Sequence, residues 1–86
     1  MKLHYTEVQK ITLRDILRTS GLSERQIEDV FLLLSFKPER VQLAFYYRAC
    51  GNTNEETASF INIDESTVRY YIKVGCEDIN CYIKNR

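Results

Sequence analysis

Arg69 carries a planar fork of donors that matches the O6 and N7 acceptors of guanine, the commonest specific contact proteins make in a major groove. Four residues earlier, Glu65 can accept from the exocyclic amine of cytosine, and Ser66 beside it is permissive between bases. Tyr70 can pack on a thymine methyl or bond a phosphate, and Lys73 stands one turn beyond Arg69. Thr53, Asn54 and Thr67, together with the amides at helix starts, suit the phosphate contacts that fix register on a duplex. This chemistry needs a helix presented by its first residues to a groove.

The stretch Asn54–Ile72, NEETASFINIDESTVRYYI, has the spacing to supply such a helix. Two short helical patterns meet across the break Asn62-Ile63-Asp64, as in a helix-turn-helix. Ala58 falls where the two helices cross most closely, and only a small side chain allows that approach. Phe60, Ile61, Ile63, Val68 and either Tyr71 or Ile72 are expected on the inner faces. Asn62 takes the turn position that needs a left-handed backbone, which Gly and, less often, Asn supply. Asp64 is expected to cap the second helix by accepting from the amide of Ser66 or Thr67.

The segment from Lys37 to about Asp78 resembles region 4 of bacterial sigma factors and its helix-turn-helix relatives, among them response-regulator DNA-binding domains and small phage-type activators. The resemblance rests on Pro38-Glu39-Arg40, Tyr46-Tyr47, Gly51-Asn52-Thr53, Glu55-Glu56-Thr57-Ala58 and Ile63-Asp64-Glu65-Ser66-Thr67-Val68. Thr57 stands where that family prefers an aliphatic, and Asn62 replaces its usual Gly. The resemblance covers about half of the chain and implies double-stranded DNA as a partner, with RNA polymerase as a second.

Three capping boxes punctuate the sequence, at Thr6–Gln9, Ser23–Gln26 and Thr53–Glu56, and each predicts a helix start. Val8, Ile11, Leu13, Ile16 and Leu17 give the first helix an apolar face, and Gly21 suits its C-terminal cap. Leu22 and Ile27 form a hydrophobic staple on the second helix, which Val30, Phe31 and Leu34 continue. Leu32 and Leu33 widen that face. Thr12–Val30 also reads as helix, turn and helix, but its break is longer and FLLL is a core pattern. Residues 1–36 are therefore taken as a helical scaffold or dimerisation segment. Pro38 suits the first turn of a third helix on which Val41, Ala44, Phe45 and Arg48 share a face, and Gly51 ends it. One of Tyr46 and Tyr47 must point away from the core. A last element starts at Glu65 and extends to about Lys84, with Gly75 marking a break, a kink or a close crossing. The expected fold is all-α: one domain, a compact bundle of five or six helices with a C-terminal helix-turn-helix.

Twelve Lys and Arg balance twelve Asp and Glu, so no excess of positive charge draws the whole chain to a polyanion. From Pro38 onward six basic residues face seven acidic ones. What matters is geometry, and a positive stripe around Arg48, Arg69 and Lys73 is the feature that favours DNA. Cys50, Cys76 and Cys81 form no C-x-x-C pair and lie far in sequence from His4, the single histidine, so no metal or cofactor is expected. Cys50 is expected in the core. No apolar run is long enough to span a membrane, and MKLHYTEVQK lacks the apolar stretch of a secretory signal, so the expected setting is cytoplasmic. Glycine-rich phosphate loops and clustered catalytic side chains are absent, so an enzyme is not expected.

The leading expectation is a small DNA-binding transcriptional regulator that reads duplex DNA with the helix starting at Glu65, with RNA polymerase and a second copy of the chain as its further expected partners. The alternative is a protein-interaction module derived from the same fold, such as an anti- or co-factor of RNA polymerase or a sigma factor, or a phage-type DNA-packaging adaptor.

Overall fold

A computed structural model describes residues 5–84; His4 and the chain ends lie outside it. The described chain is all helical: α1 (Glu7–Thr19), α2 (Glu24–Ser35), α3 (Glu39–Ala49), α4 (Asn54–Ile61), α5 (Glu65–Tyr70) and α6 (Glu77–Lys84), with a π-helical turn, Tyr71–Gly75, following α5 directly. The Cα radius of gyration is 12.0 Å, that of a fully compacted chain of this length. None of these helices is long and apolar enough to cross a membrane.

Local chemistry sets most of the helix starts. In all three capping boxes the hydroxyl of Thr6, Ser23 or Thr53 accepts the amide three residues on, and the side chain of Gln9, Gln26 or Glu56 returns the bond to the cap amide. Each box satisfies two amides that a helix start otherwise leaves open. Leu22 and Ile27 are both buried, as a staple requires. Pro38 caps α3 rather than occupying its first helical position, and its carbonyl accepts from Gln42.

The core gathers Leu13 and Leu17 from α1, Ile27, Val30, Phe31 and Leu34 from α2, Val41, Phe45 and Tyr46 from α3, and Cys76 and Ile79 from the end of the chain. Tyr5, just ahead of α1, is buried against them; its hydroxyl donates to the Gln42 carbonyl, and its ring stands edge-on to Phe31, centroids 6.4 Å apart. Burial drives the Tyr5 phenol far above its ordinary pKa, so it stays a neutral donor. Gln42, a polar residue without solvent exposure, is held by the hydrogen bond that its Nε2 donates to the Lys37 carbonyl, 2.9 Å.

Several side chains fall elsewhere than the sequence pattern predicts. Cys50 is exposed, whereas Cys76 is the buried thiol, its pKa pushed up to about 12 by burial. Val8 and Ile11 face solvent, so α1 buries a narrower stripe centred on Leu13 and Leu17. Arg48 is exposed at the end of α3, off the face that Val41, Ala44 and Phe45 bury. Tyr46 is buried while Tyr47 is half-buried.

The last element breaks at Gly75. The Cys76 amide bonds to the Tyr71 carbonyl five residues back, the π pattern, at 3.0 Å. A Cβ on Gly75 would lie 2.9 Å from Val41 Cγ1, so only glycine allows this turn to meet α3 so closely. Beyond it α6 folds back onto α2, where the Tyr82 hydroxyl donates to Asp29 and Lys37 pairs with Asp78.

Candidate nucleic-acid interface

Between α4 and α5 the chain makes a helix, a tight turn and a second helix. Asn62 is the only non-glycine described residue with positive φ, at φ 57° and ψ 52°. The amides of Asn62 and Ile63 both return to the Ala58 carbonyl, closing α4 as the left-handed turn demands. Ala58, Thr57 and Val68 are the buried residues of the two helices, and α4 packs most extensively on α5. The expected inner-face role of Phe60 is corrected: it is 58% exposed, and its ring lies 5.1 Å from that of Tyr47, outside the crossing. Ile61 and Ile63 are half-buried. Asp64 occupies the cap position of α5, but its side chain makes no capping bond; its carbonyl accepts the amides of Thr67 and Val68 instead.

Thr57 is fully buried, and its Oγ1 has no hydrogen-bond partner among the described residues. A hydroxyl left unsatisfied in the interior costs about 1–3 kcal/mol. Thr57→Val, which keeps the branched shape and removes that oxygen, is expected to stabilise the protein by about 1 kcal/mol. Chemical denaturation would read this as a higher midpoint at unchanged slope, and a lower midpoint would contradict an orphaned hydroxyl.

Burial of Val68 turns the opposite side of α5 outward. At ~100° per residue Ser66, Tyr70 and Lys73 centre that side, with Arg69 on its flank. All four are exposed, Tyr70 at 61%. Arg69 pairs with Glu65 one turn back, an exposed contact that holds the guanidinium along the helix. Thr67 is half-buried, its amide bonded to the Asp64 carbonyl. The Thr53 amide is committed to Glu56 at 2.9 Å and its hydroxyl oxygen accepts from Glu56 at 3.1 Å; the hydroxyl proton remains to donate.

Arg69 and Lys73 line an open concavity of about 480 Å³ together with Asn54 from α4, Arg48 from α3 and Lys84 from α6. Among the described residues Glu77 is the one carboxylate on its wall. Four cations from three separate segments thus converge although the chain is neutral overall. Asn54, Arg69 and Lys73 of the sequence-derived set meet here, whereas Thr53, Glu65, Ser66, Thr67 and Tyr70 do not line the concavity; of these Ser66 and Tyr70 are exposed on α5. Lys84 and Asn80 were not legible as members, because only the break at Gly75 brings α6 back beside α5. Gly75 was the one signal pointing that way. Tyr71 packs against the core. No group of three or more His, Cys, Asp or Glu that could hold a metal ion occurs among the described residues.

Searches against protein-family models, curated proteins and solved structures find no match for this chain.

Proposed function

We propose that this protein is a small duplex-DNA-binding transcriptional regulator that reads the major groove with the outward face of α5. The observation that carries this reading is the convergence of Arg48, Arg69, Lys73 and Lys84 on one concavity beside an exposed helix held behind a left-handed turn. Arg69 and Ser66 are the base-edge contacts, with Glu65 a second acceptor, and Tyr70 packs on a thymine methyl or bonds a phosphate. Lys73, Arg48, Lys84, Asn54, Thr53 and Thr67 contact the backbone. The resemblance to sigma region 4 adds RNA polymerase as a partner, and a two-fold dimer would set two reading helices about 34 Å apart.

Selection from a randomised duplex library at low salt, followed by a salt series, tests this. An enriched motif is expected, with affinity falling steeply as salt rises. Arg69→Ala is expected to leave the melting temperature unchanged and to relax preference at one base pair by ~1–3 kcal/mol. A motif identical to the parent's would remove Arg69 from the set of base readers.

The second reading is a protein-interaction module that keeps this arrangement without binding DNA. The Glu65–Arg69 pair, Glu77 in the concavity, and the exposed Phe60, Tyr70 and Val74 favour it. No enriched motif and no salt-dependent duplex binding would select it.

A further inference from the structure

A second hollow lies against the first, on the side away from α4. Its volume is about 370 Å³, and Ile16 of α1, Phe45 and Ala49 of α3 and Ile83 of α6 line its apolar part. Arg48 and Lys84 line both this hollow and the concavity beside α5, and no carboxylate among the described residues lines it. Neither cation takes part in an ion pair among the described residues; Arg48 donates to the Asn52 carbonyl and Lys84 has no salt bridge. An apolar hollow flanked by two cations that pair with no described carboxylate is complementary to an apolar anchor flanked by carboxylates.

We propose that the hollow between α1, α3 and α6 is the docking site of an acidic amphipathic helix from a protein partner. One large aliphatic or aromatic side chain of that helix enters against Phe45 and Ala49, and its neighbouring Asp or Glu residues meet Arg48 and Lys84. Specificity comes from requiring both parts. A purely acidic segment has no anchor, and a basic amphipathic helix meets two like charges there. Arg48 and Lys84 are also the cations assigned to phosphates above, so an acidic helix in this hollow and a duplex in the neighbouring concavity are expected to compete for them, whereas Ile16, Phe45, Ala49 and Ile83 serve the hollow alone and the Ala49→Leu result bears on this proposal without bearing on DNA reading.

The test is fluorescence anisotropy with the full chain and three labelled peptides of about 14 residues. The first carries Leu at i, i+3, i+4 and i+7 with Asp and Glu elsewhere; the second replaces each Leu by Ala; the third replaces each acid by Lys. The first is expected to bind at least about tenfold tighter than either control. Ala49→Leu, which fills the hollow without touching its charges, is expected to weaken that peptide about tenfold, as is the double variant Arg48→Gln, Lys84→Gln. Circular dichroism melts confirm that each variant is folded, and the exposed double variant keeps the test open if Ala49→Leu proves unstable. Equal binding of the Leu and Ala peptides, or full affinity in folded Ala49→Leu, overturns the proposal.

Discussion

Ala58→Leu is expected to lower stability by about 1–3 kcal/mol, because the added volume has nowhere to go between α4 and α5. Ala58 is 7% exposed, and its carbonyl takes both amides of the turn, so the backbone there cannot retreat without breaking the bonds that end α4. In a domain of this size each kcal/mol shifts the melting temperature by roughly 4–8 °C, so a loss of about 4 °C or more should appear in a thermal scan. Duplex binding should fall with it, since the outward angle of α5 is set by this crossing. An unaltered melting temperature would mean that α4 and α5 do not meet at Ala58.

Removing three cations of the concavity while sparing Arg69 is expected to change DNA affinity more than any single substitution. In the variant Arg48→Ala, Lys73→Ala, Lys84→Ala, three of the proposed phosphate contacts are removed, each worth about 0.9 in the slope of log affinity against log salt. The slope should fall by about 2.7, and affinity near 0.1 M salt should drop on the order of 100-fold. The preferred base sequence should survive, because the proposed orientation assigns none of the three to a base edge. All three side chains are exposed, so the fold should tolerate their loss. A salt slope equal to the parent's would place the duplex somewhere other than this concavity and refute the proposed orientation. Loss of the sequence motif with an unchanged slope would exchange the assigned roles of Arg69 and these three.

The two experiments separate architecture from charge. Ala58 acts through the angle between two helices and bears on stability first; the cation set acts only when a polyanion is present. Neutral overall composition is compatible with the second because carboxylates such as Glu24, Glu28 and Asp29 lie on α2, where Glu24 and Glu28 pair with Arg18 and Arg14 and Asp29 accepts from Tyr82.

What the sequence by itself determined here is local. The capping boxes at Thr6, Ser23 and Thr53 and the left-handed turn at Asn62 involve atoms within a few residues of one another. Their preferred geometry therefore does not wait for the rest of the chain. The same holds for the Leu22–Ile27 staple and for the exposure of Ser66, Arg69, Tyr70 and Lys73, which follows from helical period once Val68 is inward.

The tertiary structure decided what depends on distant partners. Phe60 and Cys50 are as apolar as residues that lie inside, but both stay exposed, Phe60 with one face against Tyr47 of α3. Gln42 and Thr57 are polar yet buried, Gln42 because Lys37 and Tyr5 supply bonds and Thr57 without any partner for its hydroxyl among the described residues. Gly75 announced an interruption, but its nature came from Val41, 34 residues earlier, whose side chain leaves no room for a Cβ. That contact lets the chain bend through a π turn, returns α6 to α2, and sets Lys84 beside Arg48. The grouping of charge that carries the functional reading is thus a product of packing between segments far apart in sequence, and no local pattern encodes it.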